Sequence, residues 1–447
     1  MAIPPEYAHR YVYHFSHIEN LPGLLQNGFL ANNHAWFPQK HKSIAATSIQ
    51  SRRAKMKVTC GPQGCVHDYV PLYFGSVSPM LLSVVNAKNV DQHDILYFEF
   101  PINLIARDDV IFTGASANTE IPPNFYHDPV DLTKLDWDAI DSRKWGCIDD
   151  DFRHRRMAEL LVYRQLPVTD AARCVVWNEG VKKRVEAIVG AQPFPPIEFQ
   201  DWRVRPHWFT DFASGGNGSV VKGPGEIANI FNMAFAYVEE HAGEHEVTAA
   251  FQSLKHLRDS LRANFGCLPH TAELVGLRSE NGVHRHTVDV HTKEVVAKLL
   301  VLDEYKALNP RQRKLVEIAA YLHDIGKGPR SRWDGNGGLQ KVDPNHPVGA
   351  MTMMAEILTE YVARVRPSSA RTLMKLTCYH DLVGDVLGQG RNERQIIDVV
   401  DDVDELNMLF AIARADVNAL VPRWWDEDEA FALYQRCAET IQKASEE

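Results

Sequence analysis

Two rhythms of apolar and polar positions run along the chain, and they change near residue 226. Up to residue 210, short apolar runs alternate with turn residues, the pattern of a mixed α/β or α+β domain. Strands are predicted at YVYHF (11–15), DYVPLYF (68–74), DILYFEF (94–100), DVIFTG (109–114) and RCVVWN (173–178). NLPGLLQNG (20–28) reads as a short helix closed by Gly28, and RRMAELLVY (155–163) as a longer helix. AQPFPPIEF (191–199) resists regular structure, and the Gly-rich DFASGGNGSVVKGPGE (211–226) is the best linker in the chain.

From Glu226 onward apolar residues recur at helical spacing in EIANIFNMAFAYVEEH, KEVVAKLLVLDEY, RKLVEIAAYLHDIG, VGAMTMMAEILTEYV, RTLMKLTCYHDLV and ELNMLFAIARADVNAL. Almost no strand signal remains, and there is no internal repeat or long heptad run. The expected organisation is multidomain. An α+β domain with a central mixed or antiparallel sheet covers 1–210 and a linker 211–226. An all-α bundle covers 283–447, and the helical segment at 227–282 is either a connector to that bundle or its N-terminal extension.

Composition agrees with several soluble cores: 447 residues, 45% apolar and 24% charged. No run approaches the ~20 apolar residues of a membrane span. The N-terminus MAIPPEYAHR lacks a basic-then-apolar leader, so a cytoplasmic protein without membrane partners is expected. Seven scattered cysteines suit reduced thiols, since only Cys60 and Cys65 are close and no second pair completes a zinc site. The net charge of −10 excludes a wholesale nucleic-acid coat. It is uneven, however. Residues 1–60 carry seven Lys/Arg against Glu6 and Glu19, whereas 401–447 carry twelve Asp/Glu against four Lys/Arg, which leaves room for a local anion-binding surface near the N-terminus.

The sharpest chemical signal is His323-Asp324 in YLHDIGKG, where Leu315, Ile318, Ala319 and Leu322 face a core and Gly326 is expected to end the helix. An imidazole and a carboxylate side by side at a core's rim are what a divalent cation demands. His291 opens HTKEVVAKLL, and His346 (NHPVGA), His380-Asp381 (CYHDLV) and Asp416 (ARADVNAL) lie on later segments. This ordered series resembles the HD superfamily of metal-dependent phosphohydrolases over Val283 to Ala419. HTVDVHT, LHDIGKG and NHPVGA are most similar to uridylyl-removing enzymes and to HD domains of tRNA nucleotidyltransferases. The resemblance implies a divalent metal (Mn, Fe, Mg or Zn) on His291, His323, Asp324 and Asp416. It offers His346 and His380 to a second metal or to a phosphate, with His286 as a rival for the first ligand. Such a site holds water and a phosphate oxygen together. Lys327 is placed to steady the leaving phosphate.

In the first half no P-loop, GxGxxG or Ser-His-Asp signature occurs. Four phrases stand out instead: YHFSHIENLPGLLQNGF (13–29), SIQSRRAKMKV (48–58), HDYVPLYFGSVSPML (67–81) and RRMAELLVYRQLPV (155–168). Together, over about 1–210, they resemble DarT-type ADP-ribosyltransferases, toxins that attach ADP-ribose from NAD to a nucleobase in single-stranded DNA. The resemblance places the NAD-binding histidine on His17, beside Ser16. It puts the catalytic arginine on Arg53, with Arg52 as the adjacent alternative, and the catalytic glutamate on Glu159; Tyr69 and Tyr73 support the nicotinamide and ribose pocket. These types have work to do. A carboxylate stabilises positive charge on a ribose losing nicotinamide or takes a proton from the incoming base, and a forked, permanently charged arginine suits a diphosphate. His17 could alternatively cap the next helix. The stretch from Ser142 to Arg156, with Trp145 and His154, mixes groups that stack on and grip an unpaired base.

The function expected is transfer of ADP-ribose from NAD to a base, most readily in single-stranded DNA, by a bacterial toxin or anti-phage effector. Its HD half would hydrolyse a phosphate ester of a nucleotide or of the ADP-ribosylated product, and would restrain or reverse the first activity. The competing reading is an HD nucleotide hydrolase or sensor controlling a transferase that acts on RNA or protein.

Overall fold

The computed structural model describes every residue except 1, 45–46, 145–148, 200–208, 210–220, 281, 283–285 and 447. The chain divides into two compact units, Met1–Val220 and Val221–Glu447. Residues 211–220 of the expected linker, with Trp145 and Cys147, lie outside the described residues.

In the first unit eight strands form one sheet. They are β1 (Tyr11–His17), β2 (Tyr69–Tyr73), β3 (Ile95–Pro101), β4 (Val110–Thr113), β5 (Phe125–Tyr126), β6 (Glu159–Tyr163), β7 (Arg173–Val176) and β8 (Ile197–Phe199), in the order β8-β7-β3-β1-β2-β6-β4-β5. Among the described residues of this sheet only β7 and β8 pair in parallel, so the sheet is mixed, as the pattern predicted. All five predicted strands are present within one or two residues. AQPFPPIEF does end in regular structure, however: β8 adds to the edge strand beside Cys174–Val176. The longer helices of the unit are α1 (Leu21–Asn27), α2 (Thr47–Arg53), α3 (Pro79–Asn86), α4 (Asp150–Arg156) and α5 (Glu179–Val189). Gly28 stops α1 at φ +65°, where a Cβ would sit 2.6 Å from the Leu166 carbonyl oxygen.

The helix expected over 155–163 is overturned. Helix α4 ends at Arg156, and Glu159–Tyr163 is instead β6, paired with β2 on one side and β4 on the other. Leu160, Leu161 and Val162 are fully buried. A strand covered on both faces shows a continuous apolar run rather than alternation, and such a run cannot be told from a buried helix by periodicity.

The second unit contains α6 (Pro224–His241), α7 (Leu254–Ala263), α8 (Val288–Val301), α9 (Pro310–Leu322), α10 (His346–Glu356), α11 (Pro367–Cys378), α12 (Val403–Leu420) and α13 (Glu427–Glu446). Its only strands among the described residues are the two-residue pair Arg278–Ser279 and Leu339–Gln340. Local signals set the helix ends: Asn309 and Gln312 form a capping box at the start of α9. Phe231, Val238, Leu257 and Leu274 share one core with Val295, Leu315, Leu373 and Leu409. The helices from 227 to 282 therefore extend the bundle, and α6 already begins inside the expected linker. No helix among the described residues is long and apolar enough to cross a membrane.

Helix α9 ends at Leu322 with His323 as its cap, earlier than Gly326, which belongs to the following turn Ile325–Lys327. The glycine has another reason: a Cβ there would lie 1.9 Å from the His346 carbonyl oxygen and 2.7 Å from the Ala350 nitrogen, both backbone of α10. Only a residue without a side chain lets the His323-Asp324 turn touch the helix that carries His346. Gly326→Ala is thus expected to destabilise the second unit by about 3 kcal/mol, read as a lowered midpoint in chemical denaturation. A wild-type midpoint would refute the close-approach argument.

Candidate active sites

In the first unit the sheet brings a carboxylate and a guanidinium together at the floor of a cavity of about 1140 Å³. Glu159 is the first residue of β6, in register with Tyr73 of β2, which in turn faces Tyr13 of β1. It is 1% exposed. Its Oε1 accepts from the Arg53 guanidinium and from the Ala117 backbone N–H, both at 2.9 Å, and its Oε2 lies 2.9 Å from the second Arg53 terminal nitrogen. A charge-assisted hydrogen bond with a second close contact between opposite charges holds the two side chains together. Arg53 closes α2 and is itself buried. Burial opposes its charge, but Glu159 outweighs that and raises its pKa. Arg52 instead reaches the Asn118 carbonyl at 3.5 Å.

The loop presenting Ala117 is tied down by Thr113, which donates to the Ala115 carbonyl and accepts from the Glu159 N–H. Sequence reasoning passed over this threonine and loop because a backbone N–H leaves no signal in residue identity. Ser16, Tyr69 and Tyr73 line the cavity, as do His154 and the basic residues Lys40 and Lys42 of the rim. Tyr73 donates to the Met80 sulfur at 3.1 Å, and burial raises its pKa. Tyr69 commits its hydroxyl to the Gln63 carbonyl and its ring to a cluster with Val58, Val66 and Leu161. His17 lies at the end of β1, next to the cavity-lining Ser16, its Nδ1 accepting from the Glu19 N–H as the cap of the next turn. Burial lowers its pKa, partly offset by Asp94. Of the predicted nucleobase grip, Arg156 is buried and donates to the Ser142 and Lys144 carbonyls. His154 has a buried Nδ1 without a hydrogen-bond partner.

In the second unit the predicted metal ligands converge. His291 lies in the first turn of α8, His323 and Asp324 end α9, His346 starts α10, His380 comes just after α11, and Asp416 is on α12. Three sets within reach of one ion share members: His291, His323 and Asp324; His323, His380 and Asp416; Asp324, His346 and His380. The His291 Nε2 is 3.1 Å from Asp416 and 3.8 Å from Asp324. Asp324 turns Oδ2 toward the His323 Nε2 at 3.3 Å and Oδ1 toward the His346 Nε2 at 3.2 Å. His286 pairs outside with Glu294 at 3.6 Å and is not brought to the cluster.

These residues fit a divalent cation on their own geometry. The Nδ1 atoms of His323, His346 and His380 lie 2.8–2.9 Å from the carbonyls of Ala320, Asp343 and Thr377. A carbonyl only accepts, so each Nδ1 carries the proton and each Nε2 lone pair faces inward. The Nε2 atoms of His323 and His346 are buried with no hydrogen-bond partner. Burial, then the neighbouring His323, lowers the His380 pKa to about 4, which favours the neutral imidazole. Burial would raise the Asp324 pKa, but His323 and Lys327 hold it well below the carboxylate range. Lys327 is buried, its Nζ donating to Asp324 at 2.8 Å.

Comparison with known proteins divides at the same place as the fold. The family described as "ssDNA thymidine ADP-ribosyltransferase, DarT" matches residues 13–210, and the HD domain family matches 288–406. A DNA ADP-ribosyl transferase of Thermus sp. (strain 2.9) is 31% identical over 203 residues, 44% of this chain and 95% of that protein. A bifunctional uridylyltransferase/uridylyl-removing enzyme of Psychrobacter cryohalolentis is 25% identical over 189 residues, 39% of this chain but 19% of that much longer protein. The solved structure of Thermus sp. 2.9 DarT in complex with ADP-ribosylated ssDNA is 29% identical, covering 46% of this chain and 99% of that one, with a TM-score of 0.41.

Proposed function

The chain belongs to the DarT family of DNA ADP-ribosyltransferases, NAD-using enzymes, and carries a C-terminal HD domain of the metal-dependent phosphohydrolase family; on that premise we propose that it attaches ADP-ribose to a base of single-stranded DNA as a toxin or phage-defence effector. Thymine, the base in the family's description, is the expected acceptor. The observation that carries this reading is the buried, hydrogen-bonded Arg53–Glu159 ion pair lining the 1140 Å³ cavity.

NAD takes the cavity with its diphosphate toward the basic rim at Lys40 and Lys42 and its nicotinamide ribose over Glu159. As the bond between the ribose C1′ and the nicotinamide nitrogen breaks, that electron pair leaves with nicotinamide. Glu159 stabilises the positive charge left on the ribose. A ring nitrogen of the base then bonds to C1′, and its proton passes to the Glu159 carboxylate. Arg53 holds that carboxylate in position, Ser16 and Tyr73 bound the ribose side, and His17 supports the floor by fixing the turn after β1.

For the second unit the proposal is hydrolysis of a phosphate ester or phosphodiester. His291, His323, Asp324 and Asp416 would hold one cation, with His346 and His380 sharing Asp324 with a second or with the phosphate. When bound, the ion supplies a polarised phosphorus and an acidified water. Lys327 fixes the Asp324 carboxylate and adds positive charge where a leaving phosphate emerges. This activity would restrain or reverse the first.

The test of the transferase reading is incubation of the purified chain with NAD labelled in the adenylate and a thymine-containing single-stranded oligonucleotide. The expected product is an oligonucleotide heavier by one ADP-ribose. An oligonucleotide that stays unlabelled, or label found only on the protein, would overturn it.

A further inference from the structure

We infer that Arg332 is a positioning residue of the metal cluster: by clasping the turn after Asp324 to the loop before His346, it assembles the position shared by Asp324, His346 and His380. The inference rests on the reading of this cluster as a metal centre, and deepens it by naming what sets the geometry of the second ion's place.

Three histidines of the cluster are oriented alike, but not by equally firm supports. Each Nδ1 meets a carbonyl three residues earlier, that of Ala320 for His323, of Asp343 for His346 and of Thr377 for His380. Ala320 lies in α9 and Thr377 in α11, so the helical backbone itself fixes those two carbonyls. Asp343 precedes α10, whose first residue is His346, and lies in no helix or strand. A ligand is only as well placed as the group that orients it. The Asp343 carbonyl therefore needs a support from elsewhere in the chain.

Arg332 supplies it. One terminal nitrogen of its guanidinium donates to the Asp343 Oδ2 at 2.6 Å, and the other donates to the Gly326 carbonyl at 3.1 Å. Asp343 is buried, its Oδ1 accepts from the Asn345 N–H at 3.0 Å, and its carbonyl takes the His346 N–H at 3.2 Å besides the ring. A planar fork of donors suits a bridge between two acceptors, which a lysine's single nitrogen does not. Arg332 is carried by the short turn Arg330–Asn336, and the buried Trp333 pins that turn by donating its indole N–H to the Lys327 carbonyl at 2.7 Å. Gly326 and Lys327 follow Asp324 by two and three residues. The clasp thus joins the segment bearing Asp324 to the segment bearing His346, and the Asp324 Oδ1 and His346 Nε2 lie 3.2 Å apart. His291, His323 and Asp416 keep supports of their own on α8, α9 and α12.

The test is calorimetric titration of the metal-stripped full chain with Mn²⁺, with electron paramagnetic resonance at two equivalents. Wild type is expected to take two ions and to give the broadened spectrum of a close pair. Arg332→Met should keep the first ion and weaken the second by about tenfold or more, the scale of a lost supporting group. At the same loading its spectrum should be that of isolated ions. Arg332→Lys should not restore the pair spectrum, because it reaches one acceptor at a time; restoration would overturn the clasp. In a His346→Gln background, Arg332→Met should cost the second ion nothing further, since its effect passes through His346. A merely structural role would instead add its loss to that of His346. Additive losses, or two ions held equally by wild type and Arg332→Met, overturn the inference and leave the metal reading standing. Wild type taking one ion overturns it likewise, and wild type taking none overturns the metal reading with it.

Discussion

Glu159→Gln is expected to lower ADP-ribose transfer to single-stranded DNA by about three orders of magnitude, the combined scale of lost charge stabilisation and lost proton acceptance at one group. Glutamine keeps the size of the side chain and can still accept from the Ala117 N–H, so the cavity's shape is preserved. What disappears is the negative charge under the ribose. The substitution also strands Arg53, which is 8% exposed and ion-paired with Glu159. Removing one member of such a buried pair destabilises by about 3–5 kcal/mol, so thermal melting of the variant must accompany the kinetics. Transfer should remain far below the folded fraction at the assay temperature. A variant that is folded and transfers within tenfold of wild type would sink the assignment of Glu159, and with it the reading of the Arg53 pair as catalytic rather than structural.

The same residue shows how far the sequence could be read. The phrase RRMAELLVY pointed to Glu159 through family resemblance, while its periodicity put the residue on a helix. The structure sets it at the mouth of a central strand, flanked by β2 and β4, where both faces are covered and alternation is erased. Side chains with charge or ring nitrogens were legible because their types carry the chemistry, so the six His/Asp positions of the second unit were assembled before any helix was oriented. The parts not legible are those made by backbone or by long-range pairing. They include the Ala117 N–H, the Thr113 tether, the Nδ1 contacts to Ala320, Asp343 and Thr377, and the close approach that requires Gly326. Arg52 and Arg53 differ by one step of sequence, and only the geometry of α2 separates them.

Asp324→Asn is expected to remove divalent metal from the second unit and to increase the harm done by the first. Asp324 is the one cluster residue that offers each oxygen to a different histidine, with Oδ2 beside His323 and Oδ1 beside His346. It also balances the buried Lys327. Asparagine fits the same space but supplies one oxygen without charge and leaves Lys327 unpaired. Metal affinity should then fall by at least about 100-fold, the upper end of what a residue merely supporting a ligand costs, as read by metal analysis after dialysis. If the HD unit restrains or reverses the transferase, cells expressing Asp324→Asn should accumulate more ADP-ribosylated DNA and grow more slowly than cells expressing wild type. The double variant with Glu159→Gln should grow normally, because the harm passes through ADP-ribose transfer. Slower growth that persists in the double variant would mean the HD unit is not acting on the transferase or its product. Faster growth of Asp324→Asn alone would make the HD unit a second effector rather than a brake.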